Sequence, residues 1–306
     1  KASHSCLTSF YYFNSRWAAL YMPQSCVRHN WPFEIKGRIR GMTPLHDGKM
    51  TDYSPFEQYG TTRTGRWLVT CDHATNFIPD EFETDLGLPH ADISRHIAYD
   101  VGTFGVSLEL ARLLDSPAVI ANFSRLVIDP NRGENDPTLV RKLYDGTIIP
   151  ANRYADDAEV TRRIETYYRP YHDAYEALAA KRADTVICAV HSFTPQLNGA
   201  QKRPWQIGIL SAADKRLTDP LIAALKASPA LQKEAALLGE PLCIGDNEPY
   251  VGQFPDDAIE THAIKQGRLN VLIELRSDLI ETEATQKHWA ALLAPILAQT
   301  LTDNDL

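Results

Sequence analysis

The chain has 306 residues, of which 44% are hydrophobic and 23% charged, and its formal net charge at pH 7 is -8. This is the composition of an ordinary globular protein, and the length allows one large α/β domain or two small ones. The negative charge argues against nucleic acid or an anionic membrane surface as a partner, and no apolar run approaches the ~18 residues of a membrane helix. The five cysteines are scattered without a C-x-x-C pair, which favours a reducing cytoplasm.

The first 49 residues differ in charge from the rest of the chain. They hold seven Lys/Arg and two Asp/Glu, and they show no clear period of 2 or 3.6. We predict that residues 1–49 are an extension outside the catalytic fold, non-native or disordered, and that residues 50–306 form the catalytic domain. The alternative is a small N-terminal element that docks on this domain.

Apolar runs alternate with helical periodicities along residues 50–306. Short apolar runs predict strands at 67–70, 117–123, 185–191, 205–210 and 269–276. Apolar residues recurring at three and four predict helices at 92–114, 158–181, 219–227, 230–238, 257–267 and 282–301. This alternation indicates an α/β fold with three α/β/α layers around a mixed, mostly parallel sheet.

Two of these strands run directly into a histidine. The strand at 67–70 is followed by Asp72 and His73, and the strand at 185–191 ends in His191. Ligands of open α/β sheets bind just beyond the carboxyl ends of strands, and neutral imidazole is the commonest metal ligand. Either histidine alone is more simply a polar residue of a solvated loop, but the repeated pattern favours a shared metal site.

Charged residues also stand against apolar segments at two other places. Arg125 precedes a short apolar run, interpreted as a strand, and Asn131 and Arg132 follow it. Arginine offers a bidentate fork to carboxylates, so this group either holds a substrate or pins a loop through an Arg–Asp pair. Glu274 lies within the otherwise apolar run 269–276, where a charged residue is the informative exception.

Together these residue types supply the parts required to hydrolyse an amide. A catalytic zinc takes three protein ligands and leaves one position for water, which becomes nucleophilic near neutral pH. A buried carboxylate can take the proton and pass it to the leaving amine, while an arginine stabilises the oxyanion. A second arginine with an asparagine can hold the carboxylate of an N-acyl amino acid.

Four segments resemble the N-formylglutamate amidohydrolase family in order and spacing, over about residues 60–300. They are CDHATNFIP at 71–79, SRLVIDPNR at 124–132, AVHSF at 189–193 and IELRSDLI at 273–280. This family is similar in fold to the zinc carboxypeptidases and aspartoacylases, so the resemblance implies a mixed sheet between helices with a zinc at the strand ends. It also implies hydrolysis of N-formyl-L-glutamate to formate and glutamate, as at the end of histidine breakdown.

The resemblance further implies a role for each candidate residue. The roles are zinc ligands for His73 and His191, general base for Glu274, oxyanion group for Arg125, and substrate-carboxylate binding for Asn131 and Arg132. Asp129 is expected to orient an arginine or a metal ligand. The alternatives are another N-acyl amino acid or a small peptide as substrate, since pocket size separates close analogues only weakly.

One position departs from the carboxypeptidase pattern. Those relatives carry Glu three residues after the first His, and here that position is Asn76, a poor zinc ligand. We predict His96 as the third metal ligand, because it aligns roughly with an Asp of better known family members. Asp100 is the alternative; it would share a helix face with His96. Asn76 also keeps open a binding protein on this scaffold that has lost the metal.

Overall fold

The computed structural model describes residues 39–40, 43–44, 50–51, 53–252 and 254–306. The predicted extension 1–49 lies outside these residues except at 39–40 and 43–44, so its boundary with the catalytic domain stays a prediction. No helix in the described part of the chain combines the length and hydropathy needed to cross a membrane.

The described chain forms twelve strands. In chain order they are β1 (Ile39–Arg40), β2 (Thr43–Pro44), β3 (Met50–Thr51), β4 (Phe56–Tyr59), β5 (Trp67–Cys71), β6 (Ala118–Ala121), β7 (Leu143–Tyr144), β8 (Thr147–Ile148), β9 (Val186–Phe193), β10 (Ile207–Leu210), β11 (Ile244–Asp246) and β12 (Asn270–Arg276). Eight of them form one sheet in the order β1-β4-β6-β5-β9-β12-β10-β11. The central run β6-β5-β9-β12 is parallel, whereas β1, β4 and β10 each pair antiparallel with a neighbour.

Eight α-helices are described. They are α1 (His90–Ile93), α2 (Thr103–Leu113), α3 (Asp157–Arg163), α4 (Arg169–Ala179), α5 (Thr218–Ala227), α6 (Pro229–Leu237), α7 (Ala258–His262) and α8 (Glu283–Asp303). A π-helical turn, Ile164–Tyr168, joins α3 to α4. The last helix begins at a capping box, in which Thr282 and Thr285 bond reciprocally to each other's backbone N–H groups.

Different helices cover the two faces of the sheet. On one face α2, α5 and α8 pack against alternate strand residues that include Val69, Val190 and Ile273. On the other face α4 and α7 pack against residues of opposite parity, including Leu68 and Ala189. The predicted three-layer α/β/α fold with a mixed sheet is therefore confirmed, and the five predicted strands correspond to β5, β6, β9, β10 and β12.

The predicted helix 92–114 is wrong over its middle. Only α1 and α2 are helical, and 94–102 runs through turns and bends. Gly102 precedes α2 with φ at 83°, and a Cβ there would lie 2.1 Å from the carbonyl oxygen of Ile280. A residue with a side chain would be strained in this conformation, so glycine permits both the break and the close approach.

The short strand predicted after Arg125 is also absent from the structure. Residues 125–127 form a turn, and side chains rather than a neighbouring strand satisfy two of its carbonyls. Asn152 donates to the carbonyl of Leu126, and Arg163 donates to that of Val127, each at 2.8 Å. These bonds replace the ladder that a buried apolar segment would otherwise need.

Candidate metal centre and active site

The alternation of side chains along two strands directs two site residues to one face of the sheet. Ala189 and Leu272 belong to the core under α4 and α7, and they stand two residues before His191 and Glu274. Side chains alternate along a strand, so His191 and Glu274 point to that same face. They are direct neighbours in the parallel pair of β9 and β12. Asp72 continues β5 just beyond its carboxyl end.

Three side chains meet at one buried point. The Nδ1 atoms of His73 and His191 lie 3.3 and 2.9 Å from the same oxygen, Oδ2 of Asp100. The two rings have centroids 5.0 Å apart and planes at 75°. All three residues are buried. The backbone N–H of Asp100 donates to the carbonyl of His73 at 2.9 Å, which holds the acid beside that ring.

Two further carboxylates hold the far nitrogens of the rings. Asp129 Oδ1 lies 2.7 Å from Nε2 of His73, and Asp72 Oδ2 lies 3.2 Å from Nε2 of His191. Tyr171 of α4 donates its hydroxyl to the other oxygen of Asp72. Metal-binding histidines commonly donate their far N–H to a carboxylate, which fixes the tautomer and the ring orientation.

The hydrogen-bonding capacity of the rings makes this arrangement suitable for a cation. A neutral imidazole donates through one nitrogen and accepts at the other. If each Nε2–H donates to its outer carboxylate, both Nδ1 lone pairs face anionic Asp100 away from water, which is unfavourable without a positive charge. Burial alone would lower the pKa of His191, but hydrogen bonds to Asp100 and Asp72 raise it well above its usual value.

The donor set agrees with this electrostatic requirement. Two imidazole nitrogens and one carboxylate oxygen, all within 4.8 Å of one another, belong to His73, Asp100 and His191. Histidine nitrogens and carboxylate oxygens are ligands of catalytic zinc, which keeps a further position open. The residues present therefore fit a divalent metal ion.

Glu274 lies beside this group with an unsatisfied carboxylate oxygen. It is 6% exposed, and its Oε2 has no hydrogen-bond partner among the described residues. Burial raises the pKa of Glu274 to about 8, and His191 opposes this rise. A cation bound by His191 would act in the same direction as that histidine and favour the ionised acid. Such a carboxyl group can take up and release a proton near neutral pH.

Arg125 bridges Asp100, the carboxylate between the two rings, and Asp129, which holds the far side of His73. Its Nη1 lies 3.3 Å from Oδ1 of Asp100 and its Nη2 lies 2.8 Å from Oδ2 of Asp129. Arg141 also reaches that Asp129 oxygen, with Nε and Nη2 both at 3.3 Å. The Nε of Arg125 is buried and has no partner in the described chain. One N–H donor beside the cluster is therefore available to a negatively charged oxygen.

Asn131 and Arg132 follow Asp129 in the same turn. The backbone N–H of Asn131 donates to Oδ1 of Asp129 at 3.1 Å, and its side-chain oxygen is buried without a partner among the described residues. Arg132 stacks on Phe254, with its guanidinium carbon 4.3 Å from the ring centroid. No described carboxylate lies within ion-pair distance of Arg132, so an anionic ligand can approach it.

His96, the predicted third metal ligand, is not a member of the cluster. Its Nε2 lies 3.4 Å from Oδ2 of Asp145. Burial lowers the pKa of His96, and Asp145 partly opposes this shift. Because residues 94–102 turn instead of continuing a helix, His96 and Asp100 do not share a helix face. Asp100, the alternative from the sequence, is the acid that meets both rings.

Two residues of the site carry no role in the sequence prediction. The sequence could have indicated Asp72, because it lies two residues beyond Thr70 and continues the alternation of β5 on the face to which Leu68 points. The sequence carries no such indication for Arg141, since it lies in a loop without periodicity and reaches Asp129 only through the fold. Asn76 lies outside the cluster, and its Nδ2 donates to the carbonyl of Ile93 at 3.1 Å.

Comparisons with known proteins identify a family and solved structures of similar fold. The sequence profile of the N-formylglutamate amidohydrolase family matches residues 65–281. The gene product Atu2144 from Agrobacterium tumefaciens is 31% identical, with a TM-score of 0.74, over 82% of this chain and 96% of that chain. The N-formylglutamate amidohydrolase from Ralstonia eutropha JMP134 is 22% identical, with a TM-score of 0.57, over 83% of this chain and 98% of that chain.

A more distant likeness is to the metallo-carboxypeptidase from Pseudomonas aeruginosa. It is 13% identical, with a TM-score of 0.37, over 88% of this chain and 66% of that chain. At that TM-score the likeness supports no argument about function. No curated protein matches the chain.

Proposed function

Because the chain belongs to the N-formylglutamate amidohydrolase family, we propose that it hydrolyses the amide bond of a small N-acyl amino acid in a metal-dependent reaction. N-formyl-L-glutamate is the leading substrate, with formate and glutamate as products. Histidine breakdown in the cytoplasm is the proposed setting. The observation that carries the proposal is the meeting of His73, Asp100 and His191 beside the unsatisfied carboxylate of Glu274.

In this proposal the metal ligands are His73, Asp100 and His191, with zinc as the ion. Asp100 replaces His96 in the ligand set for the geometric reason given above. A bound zinc ion supplies Lewis-acid polarisation of the scissile carbonyl and makes water nucleophilic near neutral pH. Asp129 and Asp72 hold the two rings through Nε2, so the ligand atoms are oriented before the ion arrives.

Glu274 is the proposed general base and acid. Its unsatisfied oxygen can accept the proton of the attacking water and then donate that proton to the amide nitrogen as the C–N bond breaks. The departing amine leaves neutral only if it receives this proton, so one carboxyl group can serve both halves of the reaction. Its place next to His191 in the sheet holds it close to the ligand cluster.

Arg125 is the proposed oxyanion group. Two of its nitrogens are held by Asp100 and Asp129, so the guanidinium is fixed, and its buried Nε remains for the negative charge that develops on the carbonyl oxygen. A donor fixed before reaction stabilises developing charge without the cost of reorganisation. Asn131 and Arg132 are the proposed ligands of the α-carboxylate. The Arg132 guanidinium has no anionic partner in the described chain, and the side-chain amide of Asn131 can donate through Nδ2.

The test is formate release by the purified protein. The chain is stripped of metal with a chelator, and its activity on N-formyl-L-glutamate is measured before and after one equivalent of zinc. We expect zinc to restore turnover and to bind at one ion per chain. Zinc binding without formate release would support another acyl group or amino acid, which N-acetyl and N-succinyl substrates then examine. If the chain neither binds zinc nor hydrolyses any of these substrates, the result would support the non-enzymatic alternative.

A further inference from the structure

The arginines near the site fall into two kinds. Arg125 and Arg141 are ion-paired with Asp129. Arg132 and Arg203 have no carboxylate within ion-pair distance among the described residues. A guanidinium that is fixed near a binding site without a counter-charge is a ready partner for a carboxylate of a ligand. Arg132 already has a proposed ligand, but Arg203 has none.

Arg203 is held in one orientation by neutral groups. Its Nη1 donates to the carbonyl of Thr194 and to the hydroxyl of Tyr250, both at 3.1 Å. Its guanidinium carbon lies 5.0 Å from the ring centroid of Tyr250 and 5.6 Å from that of Phe193. Its backbone N–H also donates to the carbonyl of Pro195 at 2.8 Å. Its Nε and Nη2 have no partner among the described residues, so the edge that binds carboxylates in a bidentate fashion is open.

The residues that hold Arg203 face the catalytic acid. Phe193 ends β9 two residues beyond His191. Tyr250 lies in the loop after β11, and burial raises the pKa of its hydroxyl to about 12, with Glu274 adding to the rise and Arg203 opposing it. Both charges act on the Tyr250 hydroxyl because it lies near Glu274 and near Arg203.

A glycine allows this loop to approach the sheet. Gly208 is paired with Glu274 across β10 and β12. A Cβ on Gly208 would lie 2.2 Å from the carbonyl oxygen of Glu248 and 3.2 Å from the Cβ of Glu274. The loop backbone and the catalytic acid therefore share one side of the sheet, and any side chain at 208 would push the loop away.

The same loop also supports the other uncompensated arginine. Phe254 lies under Arg132 at 4.3 Å, four residues after Tyr250, which lies under Arg203 at 5.0 Å. One loop therefore fixes two guanidiniums that come from different parts of the chain. Two fixed positive charges without acidic partners match a ligand that carries two carboxylates.

We propose that Arg203 binds the side-chain carboxylate of a dicarboxylic N-acyl amino acid and so makes the site selective for dianionic substrates. The inference rests on the proposed function, with Arg132 taking the α-carboxylate. A substrate whose side chain ends in a neutral amide has nearly the same shape but gives Arg203 no counter-charge. A hydrogen bond to a charged group contributes enough to make Arg203 worth ~10- to 100-fold in kcat/KM for the acid.

The experiment compares N-formyl-L-glutamate with its neutral analogue N-formyl-L-glutamine. The zinc-loaded full chain and the variants Arg203→Met, Arg203→Lys and Arg132→Ala are assayed for formate release on both substrates. We expect Arg203→Met to lose ~10- to 100-fold in kcat/KM on glutamate, mainly through KM, and less than about threefold on glutamine. Arg203→Lys retains the charge but not the fork, so its loss on glutamate is smaller. Arg132→Ala is expected to lower kcat/KM for both substrates alike, since both carry the α-carboxylate.

Lys202→Met is the matched control, because Lys202 is the neighbouring cation and already pairs with Glu240 at 2.9 Å. We expect it to leave the glutamate-to-glutamine preference unchanged. Equal losses on both substrates in Arg203→Met would overturn the inference and leave the proposed function standing. A change of the glutamate-to-glutamine preference in Arg132→Ala but not in Arg203→Met would likewise overturn the inference and leave the proposed function standing.

A binding measurement separates the inference from the proposed reaction. Calorimetric titration with glutarate, a dianion, and butyrate, a monoanion, needs no turnover. We expect Arg203→Met to lower the affinity for glutarate and to leave the affinity for butyrate unchanged. If no N-acyl substrate is hydrolysed but glutarate binding still depends on Arg203, the proposed function fails and the anion site stands. If glutarate binds the wild type and Arg203→Met alike, the anion site fails.

Discussion

Asp100 is the residue on which the geometry of the site depends most. Its Oδ2 lies 3.3 Å from Nδ1 of His73 and 2.9 Å from Nδ1 of His191. The same oxygen accepts the backbone N–H of Ser192, and Oδ1 accepts Arg125. Burial would raise the pKa of Asp100, but the two histidines hold it well below its usual range, so the acid stays ionised. One carboxylate can thus fix both imidazoles relative to each other and offer an anionic ligand to a cation.

The identity of the third metal ligand is tested by a pair of variants. We expect Asp100→Asn to weaken zinc binding by more than ~100-fold, since loss of an outer partner alone costs ~10- to 100-fold. His96→Ala should change the affinity by less than about threefold, because His96 contacts Asp145 and not the cluster. Competition with a chromophoric chelator measures both. Circular dichroism of the metal-free variants checks that each is folded, and zinc loss in His96→Ala alone would restore the original prediction.

The role of Glu274 is tested by removing its charge and keeping its shape. We expect Glu274→Gln to keep zinc, because the ligand cluster lacks this residue, and to lose ~10²- to 10⁴-fold in kcat, the usual worth of a general base. Zinc content is measured by elemental analysis and turnover by formate release. Glu281→Gln, on the exposed surface, is the control and should match the wild type. A near-normal rate in Glu274→Gln would assign the base to another group.

At the scale of elements, two helices hold the turn that carries the proposed substrate-binding residues. His172 of α4 lies with Nε2 3.0 Å from the carbonyl of Pro130 and Nδ1 2.8 Å from Nε2 of His262 in α7. Tyr168 donates its hydroxyl to the carbonyl of Arg132 at 2.8 Å. The turn has no ladder of its own, so these side chains satisfy its backbone and fix its position.

This histidine pair predicts a pH dependence of stability. Burial lowers the pKa of His172 to about 3 from 6.5, and His262 adds to the shift. As pH falls below 6.5 the unfolded chain binds a proton that the folded chain refuses, so the free energy of unfolding decreases by at most ~1.4 kcal/mol per pH unit. We expect wild type to lose ~1.6 kcal/mol more than His172→Gln between pH 6.5 and 5.

Urea unfolding at pH 5, 5.75 and 6.5 measures this difference. His90→Gln is the control, since His90 lies on the exposed surface, and its pH dependence should follow the wild type. Parallel pH profiles of wild type and His172→Gln would show that His172 does not titrate between the folded and unfolded states in this window.

At the scale of the whole molecule, the site concentrates acids in the interior. Asp72, Asp100 and Asp129 are all buried around two imidazoles, and burial, which would raise their pKa values, is outweighed by His191, His73 and Arg125 in turn. A divalent cation bound among them would relieve the mutual repulsion of these acids in the folded state only. Metal binding and folding are therefore expected to be linked.

Zinc should accordingly raise the thermal stability of the chain. At a free zinc concentration of 100 times Kd, the expected gain is about 2.7 kcal/mol. For a domain of this size, that gain corresponds to an increase in Tm of ~5 °C. Differential scanning fluorimetry with and without zinc measures the shift. Asp100→Asn should show little shift at the same concentration, and an equal shift in both proteins would locate the stabilising ion elsewhere.

Local pattern in the sequence was sufficient for much of the fold. The five central strands follow from the short apolar runs, and those runs also place His73 and His191 at or near the carboxyl ends of two strands. These signals are local, so they survive in the chain without its partners. The family motifs added the proposed role of Glu274, which composition alone leaves as an unexplained buried acid.

Only the tertiary structure shows which acid meets the two histidines and which groups contact the arginines. Gly102 interrupts the helical period by packing against Ile280, and the resulting turn brings Asp100 rather than His96 to the rings. Arg203 lies over the ring of Tyr250, a loop residue distant in the sequence. Both depend on contacts between segments far apart in the chain, and periodicity carries no information about such contacts because it reports only on neighbours three or four residues away.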